Sequence, residues 1–127
     1  MSEIKRLDFM GIPSQDADRS RAFYVDVLGL PPDERGQYEF WAGDTCFGIW
    51  EPEKFGMPFT AQQGNPWPLG VDDVAAARAA LEAQGVAFFG DTMDTGVCHM
   101  AFFADPDGNH LMLHHRYAPY DDGHTPH

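Results

Sequence analysis

The sequence predicts an α+β fold made of two strand–helix–strand–strand–strand modules, and three observations predict it. Asp16 to Gly29 and Asp72 to Gly85 are both spans of 13 steps from a helix-capping carboxylate to a helix-stopping glycine. Each span follows a short strand and precedes hairpin-like strands. The strands sort into an apolar face and a mixed face, so each copy alone would leave one sheet face open, and the two must pair around something. At 127 residues the chain is expected to be a single domain, 1–127, with module one at about 4–55, module two at about 65–118 and a polar tail at 119–127.

Leu7 to Ile12 reads as the first strand, with Met10 and Ile12 on one face and Leu7, Phe9 and Gly11 on the other, ended by Pro13. Asp16 or Asp18 then caps a helix striped by Phe23, Val27 and Leu28. Gln37 to Ala42 and Thr45 to Glu51 form a hairpin around Gly43-Asp44. With that two-residue turn, Tyr38, Phe40, Phe47 and Ile49 share one face. Gln37, Glu39, Trp41, Cys46, Gly48 and Trp50 share the other.

Residues 52–66, rich in Pro, Gly and Gln, read as the connection between modules. Trp67 to Val71 is a weak strand, because Pro66 and Pro68 cannot donate to a ladder. Asp72 or Asp73 caps a helix from Val74 to Gln84. Val86 to Phe89 is a strand, followed by a turn through Gly90-Asp91-Thr92.

The last hairpin spans His99 to His114, with its turn expected at Asp105-Pro-Asp-Gly108. That turn pairs Phe103 with His110, Phe102 with Leu111 and His99 with His114. It sorts Met100, Phe102, Leu111 and Leu113 onto an apolar face, and His99, Ala101, Phe103, His110, Met112 and His114 onto the wall of a cavity.

Composition excludes some functions. Hydrophobic residues make up 43% and charged residues 22%, ordinary for a globular chain. No apolar run approaches the roughly 18 residues of a membrane span, and the first residues lack a signal-length apolar run. A cytoplasmic protein is expected, with Cys46 and Cys98 as packed, reduced thiols. The net charge of −12 argues against nucleic acid and against anionic membranes, which are bound through Lys and Arg.

Three stretches carry a family likeness: Asp16-Ala-Asp-Arg-Ser-Arg-Ala-Phe-Tyr-Val-Asp-Val-Leu-Gly-Leu30; Val71-Asp-Asp-Val-Ala-Ala-Ala-Arg-Ala-Ala-Leu-Glu-Ala-Gln-Gly-Val86; and Ala101-Phe-Phe-Ala-Asp-Pro-Asp-Gly-Asn-His-Leu111. In them the chain resembles the vicinal-oxygen-chelate superfamily of glyoxalases, bleomycin-resistance proteins and extradiol dioxygenases. The resemblance implies paired βαβββ modules, a U-shaped sheet around a concave pocket, and a homodimer. It also implies metal ligands, mostly His, Glu or Gln, at one position on each of four strands. Those positions fall here on Phe9, Gly48, Pro66 and Met112. None is such a ligand, and a thioether suits copper(I) better than the hard or borderline ions of the metal enzymes. No metal and no cofactor are therefore expected.

The cavity wall is expected to comprise Phe9, Gln37, Glu39, Trp41, Cys46, Trp50, Phe103, His110 and Met112, with His99 and His114. Indole and phenyl faces there suit a planar or cationic ligand. Glu39 could meet a ligand cation or act as an acid/base. His99 and His114, facing each other, could act as a general acid and base or ligate a metal at a shifted place. Two readings remain open. One is a binding protein that sequesters an aromatic small molecule. The other is an enzyme, either a glyoxalase-like lyase or dioxygenase with relocated ligands or a metal-free acid/base catalyst using His99, His114 and Glu39.

Overall fold

The computed structural model describes residues 2–120, so the tail from residue 121 on, with His124 and His127, lies outside the described residues. The chain divides at Ala61 into two compact units. No helix among the described residues is long and apolar enough to cross a membrane.

The first unit runs β1 (Phe9–Pro13), α1 (Ala17–Arg21, continued as a π-helical segment Ala22–Val27), β2 (Glu39–Ala42) and β3 (Thr45–Trp50). Of the two candidate caps Asp16 serves: its Oδ1 accepts the Arg19 N–H at 3.1 Å. The sheet order is β1-β3-β2, with β1 parallel and β2 antiparallel to β3. The Gly43-Asp44 turn fixes the expected register, pairing Phe40 with Phe47 and Trp41 with Cys46. Ile12, Phe40, Phe47 and Ile49 are buried on one face. Tyr24 of the π segment stacks on Phe40 at 4.8 Å, and Phe40 stacks on Phe47 at 5.5 Å. Each such pair adds about 0.5–1.5 kcal/mol beyond its buried area.

The first unit departs from the expected pattern at one strand. Where the module calls for a strand after the helix, only residues 31–33 pair, through an isolated bridge between Pro32 and Phe40. Pro31 and Pro32 supply no donors, so the strand cannot extend. Gln37 precedes β2 instead of lying within it; it is exposed, and its carbonyl accepts the Arg21 Nε–H at 2.7 Å.

The second unit runs β4 (Trp67–Gly70), α2 (Val74–Ala83), β5 (Phe88–Asp94), β6 (Cys98–Ala104) and β7 (His110–Arg116), in sheet order β4-β7-β6-β5. Asp73 caps α2 by accepting the Ala76 N–H at 3.0 Å. Trp67, Ala101, Phe103, Leu111 and Leu113 are buried on one face, with Val74 and Leu81 of α2. Arg78 of α2 lies over the Phe88 ring, 4.9 Å from its centroid, which identifies this as the α2 side.

The second unit departs from the expected pattern at β5 and in the β6–β7 pairing. Gly90-Asp91-Thr92 is not a turn: β5 runs through it with a register shift between Phe89 and Met93, and Gly90 takes φ +68°. More consequentially, the β6–β7 register is one residue off the expected one. Met100 pairs with His114, Phe102 with Met112, Phe103 with Leu111, Ala104 with His110 and His99 with His115. The connection is a five-residue loop, Asp105 to Asn109, whose side chains are part of its backbone bonding. Asp105 Oδ1 accepts the N–H groups of Asp107 (3.0 Å) and Asn109 (2.9 Å). Fully buried Asn109 donates Nδ2–H to Asp105 Oδ2 at 2.8 Å and accepts the Gln62 N–H at 2.8 Å. The Asn109 N–H thus goes to a side chain while its carbonyl accepts the Asp105 N–H at 2.9 Å, the strand pairing begins at Ala104 and His110, and every β6 side chain takes the face opposite to the expected one.

Candidate functional site

Within its own unit each sheet has one face under a helix and one bare of helix. The register sets out the bare face of the first sheet in rows. Phe9, Cys46 and Trp41 form one row; Gly11, Gly48 and Glu39 the next; Pro13 and Trp50 a third. Phe9 is 64% exposed, Trp41 36% and Trp50 37%. Gly11 and Gly48 have ordinary strand φ values, so their lack of a side chain is what matters. A Cβ on Gly48 would meet open space, and one on Gly11 would meet the Trp50 indole nitrogen at 3.3 Å. The Trp50 indole thus lies over Gly11, while Gly48 leaves a stretch of backbone open between the rows that carry Trp41 and Trp50, beside the Glu39 position.

Trp41 is held in place. Its indole N–H donates to Asp33 Oδ1 at 3.1 Å, while Asp33 Oδ2 accepts the N–H groups of Arg35 (2.9 Å) and Gly36 (2.8 Å). The bond from Trp41, then those from Arg35 and Gly36, hold the Asp33 carboxyl below the usual carboxylate range. The Glu39 side chain lies against Gly36, where a Cβ would collide with it. Cys46, though on this face by alternation, is buried, and its thiol donates to Glu39 Oε2 at 3.5 Å. Burial and then Glu39 push the thiol pKa up, so Cys46 is a protonated thiol rather than a nucleophile.

On the second sheet the bare face carries the row Phe89, Phe102, Met112 and Pro68, then Met93, Met100, His114 and Gly70, with Ala104 and His110 at one end. The His110 ring is 5.5 Å from Phe89. Burial, then the charges of His115 and Arg116, lower the His114 pKa and favour its neutral imidazole.

His99 and His114 do not face each other, as the sequence led one to expect: they stand on opposite faces of β6 and β7. His99 pairs with His115 and Asp94 on the α2 side, its Nε2 3.5 Å from Asp94 Oδ2 and its ring 4.9 Å from Tyr117. Tyr117 Oη donates to Asp94 Oδ1 at 2.8 Å. Phe103 is likewise off the bare face, fully buried with its ring 5.1 Å from Phe88. Sequence reasoning missed Phe89, Met93, Met100 and Phe102 on the bare face. It also missed Asp33, for which the only signal was a carboxylate directly after Pro31-Pro32.

The donor set does not fit the superfamily's metal. Phe9, Gly48 and Pro66 offer no side-chain donor and Met112 only a soft thioether. Among the described residues no group of three His, Cys, Asp or Glu side chains could hold an ion.

Residues 67–113 match the family model of the Glyoxalase/Bleomycin resistance protein/Dioxygenase superfamily. The chain is 32% identical over 127 aligned residues to YaeR of Escherichia coli (strain K12), covering 90% of this chain and 98% of YaeR. Among solved structures it is similar to TnmS3, an antibiotic binding protein from Streptomyces sp. CB03234. The two share 27% identity over 89% of this chain and 97% of that one, with a TM-score of 0.70. Lactoylglutathione lyase from Agrobacterium tumefaciens shares the fold, at 18% identity, 89% and 95% coverage and a TM-score of 0.69.

Proposed function

We propose that this chain, which belongs to the glyoxalase/bleomycin resistance protein/dioxygenase superfamily, is a metal-independent small-molecule-binding protein that sequesters a planar or cationic aromatic compound. The bare face of the first sheet carries this reading: backbone open at Gly48, indoles at Trp41 and at Trp50, the latter over Gly11, and Glu39 paired with Gly48. A flat ring system can lie on a floor without side chains and stack against indoles, each contact worth about 0.5–1.5 kcal/mol beyond burial. The net charge of −12 would raise the local concentration of a cation. The antibiotic-binding relative TnmS3 supports a ligand of drug size. The working form in this reading is a cytoplasmic homodimer, which sedimentation equilibrium checks.

The test is a tryptophan-fluorescence titration with a cationic acridine, acriflavine, and a neutral planar analogue, acridone. Both should quench. Trp41→Ala should weaken binding by about 1–3 kcal/mol. Glu39→Gln should cost the cation more than the neutral compound, since only the cation loses a charge pair. Gly48→Leu, whose side chain enters open space, should fill the floor and abolish binding with the fold intact. Absence of binding by a panel of planar compounds, together with a turnover lost in His99→Ala or His114→Ala, would replace this reading with the enzyme one.

A further inference from the structure

The bare face of the second sheet holds a cluster of a different chemistry. Met93 of β5 pairs directly with Met100 of β6, and Met100 pairs directly with His114 of β7. The three therefore form one row across three adjacent strands. Met112 stands diagonally from Met100 on the same face. Directly opposed residues in such a sheet lie about 4.5–5.5 Å apart at Cα, so long side chains on neighbouring strands can converge over the middle one. Met93 is 50% exposed, and Met100, Met112 and His114 are each half-buried, so the row is open to a small solute. Three of the chain's six methionines fall on this one face.

The donors are thioether sulfurs and one imidazole, neutral and soft, with no carboxylate in the row. Such a set disfavours magnesium, calcium and manganese and favours a soft d¹⁰ monovalent ion. Arg116, two residues along β7 from His114, is engaged elsewhere: its guanidinium lies 3.9 Å from the Tyr120 ring centroid and donates to the Pro119 carbonyl at 3.3 Å, though its charge still acts on His114 and helps keep that imidazole neutral. We propose that Met93, Met100 and His114 form a binding site for copper(I), with silver(I) as its redox-silent stand-in. Met112 supplies a further sulfur within reach. The site lies wholly within the second unit and does not depend on the aromatic ligand assigned to the first sheet.

The test uses the full chain labelled with ¹³C at the methionine methyl groups, titrated with silver nitrate, and copper(I) under anaerobic conditions as a second arm. One equivalent beyond that taken by Cys46 and Cys98 should shift the methyl resonances of Met93 and Met100 and the ring resonances of His114. Met57, an exposed methionine outside the cluster, should stay unmoved. Met93→Leu and Met100→Leu conserve volume, so the fold should survive. In a Cys46→Ala/Cys98→Ala background each should weaken silver(I) binding by about tenfold or more, roughly 1.4 kcal/mol, and Met57→Leu should not. If the cysteine-free chain folds by circular dichroism yet binds no silver(I), the proposal is wrong. If Met57 shifts together with Met93 and Met100, the binding is an unselective thioether effect and the proposal is equally wrong. Neither result would touch acridine binding at the first sheet, so the two readings fail separately.

Discussion

Asn109→Ala should destabilise the second unit far more than the loss of an ordinary loop residue. Asn109 has no exposed surface and its side chain makes two bonds: Nδ2–H to Asp105 Oδ2 and Oδ1 from the Gln62 N–H, both 2.8 Å. Alanine leaves the part-buried Gln62 N–H without this acceptor and the Asp105 carboxylate, only 5% exposed, without one of its donors. Each stranded group costs about 1–3 kcal/mol, the charged one toward the upper end. Water entering the vacated volume would recover part of this, so about 3 kcal/mol is expected overall. Asn109→Asp separates the two halves of the argument. It keeps an acceptor for Gln62 but sets a carboxylate against Asp105, raising the upper pKa of the pair in the folded state. That variant should regain stability as pH falls through this raised value, because the folded form then takes up the shared proton. Urea denaturation across pH measures both. A loss below about 1 kcal/mol for Asn109→Ala would refute the claim that these side chains hold the β6–β7 register.

Two further outcomes follow from the register and from the half-buried His114 imidazole. Phe103→Ala should cost about 3–5 kcal/mol, the range for emptying a packed aromatic site, and Phe102→Ala, on the bare face, clearly less; the reverse order in urea midpoints would restore the expected pairing of Phe103 with His110. His114, held below its ordinary 6.5 by burial and then by His115 and Arg116, binds a proton more readily in the unfolded chain than in the folded one. Stability should therefore fall as pH drops below about 6.5, until the folded imidazole also protonates, and His114→Phe should flatten that part of the pH profile.

How much was legible in the sequence depended on whether local rules had a competitor. The β2–β3 hairpin followed from Gly43-Asp44 because a two-residue turn leaves one register, and Gly43 takes the required φ of +60°. The two cap-to-stop spans were legible for the same reason, since capping is a bond within four residues. The β6–β7 register was not. Met100, Ala101, Phe102 and Phe103 are all apolar, so either alternation gave a plausible core face, and the bond that fixes Asn109 from outside its own loop comes from Gln62, far away in sequence. Gly90 read as a turn because its glycine signal suits either structure. What makes it a bulge is Arg78 of α2, whose guanidinium donates to the Gly90 carbonyl at 2.8 Å and to Thr92 Oγ1 at 3.1 Å. The candidate site inherited this division: Glu39, Trp41 and Trp50 were placed on the right face, and His99 and Phe103 were not.

The truncated strand at Pro31-Pro32 bears on solubility. An outermost strand with free N–H and C=O groups is a template on which another chain can add itself, the first step toward aggregation. Beyond β2 the next residue in line is Pro32, which has no N–H to offer an incoming strand. The far side of the other sheet is interrupted differently, by the irregularity around Gly90 in β5. The remaining margins, β1 and β4, contain Pro13 and Pro68. Each sheet thus ends, on both sides, in a segment poorly suited to recruit a neighbour. This protection is written into the backbone, so it persists in acid, where the carboxylates behind the net charge of −12 are protonated and electrostatic repulsion between molecules is lost.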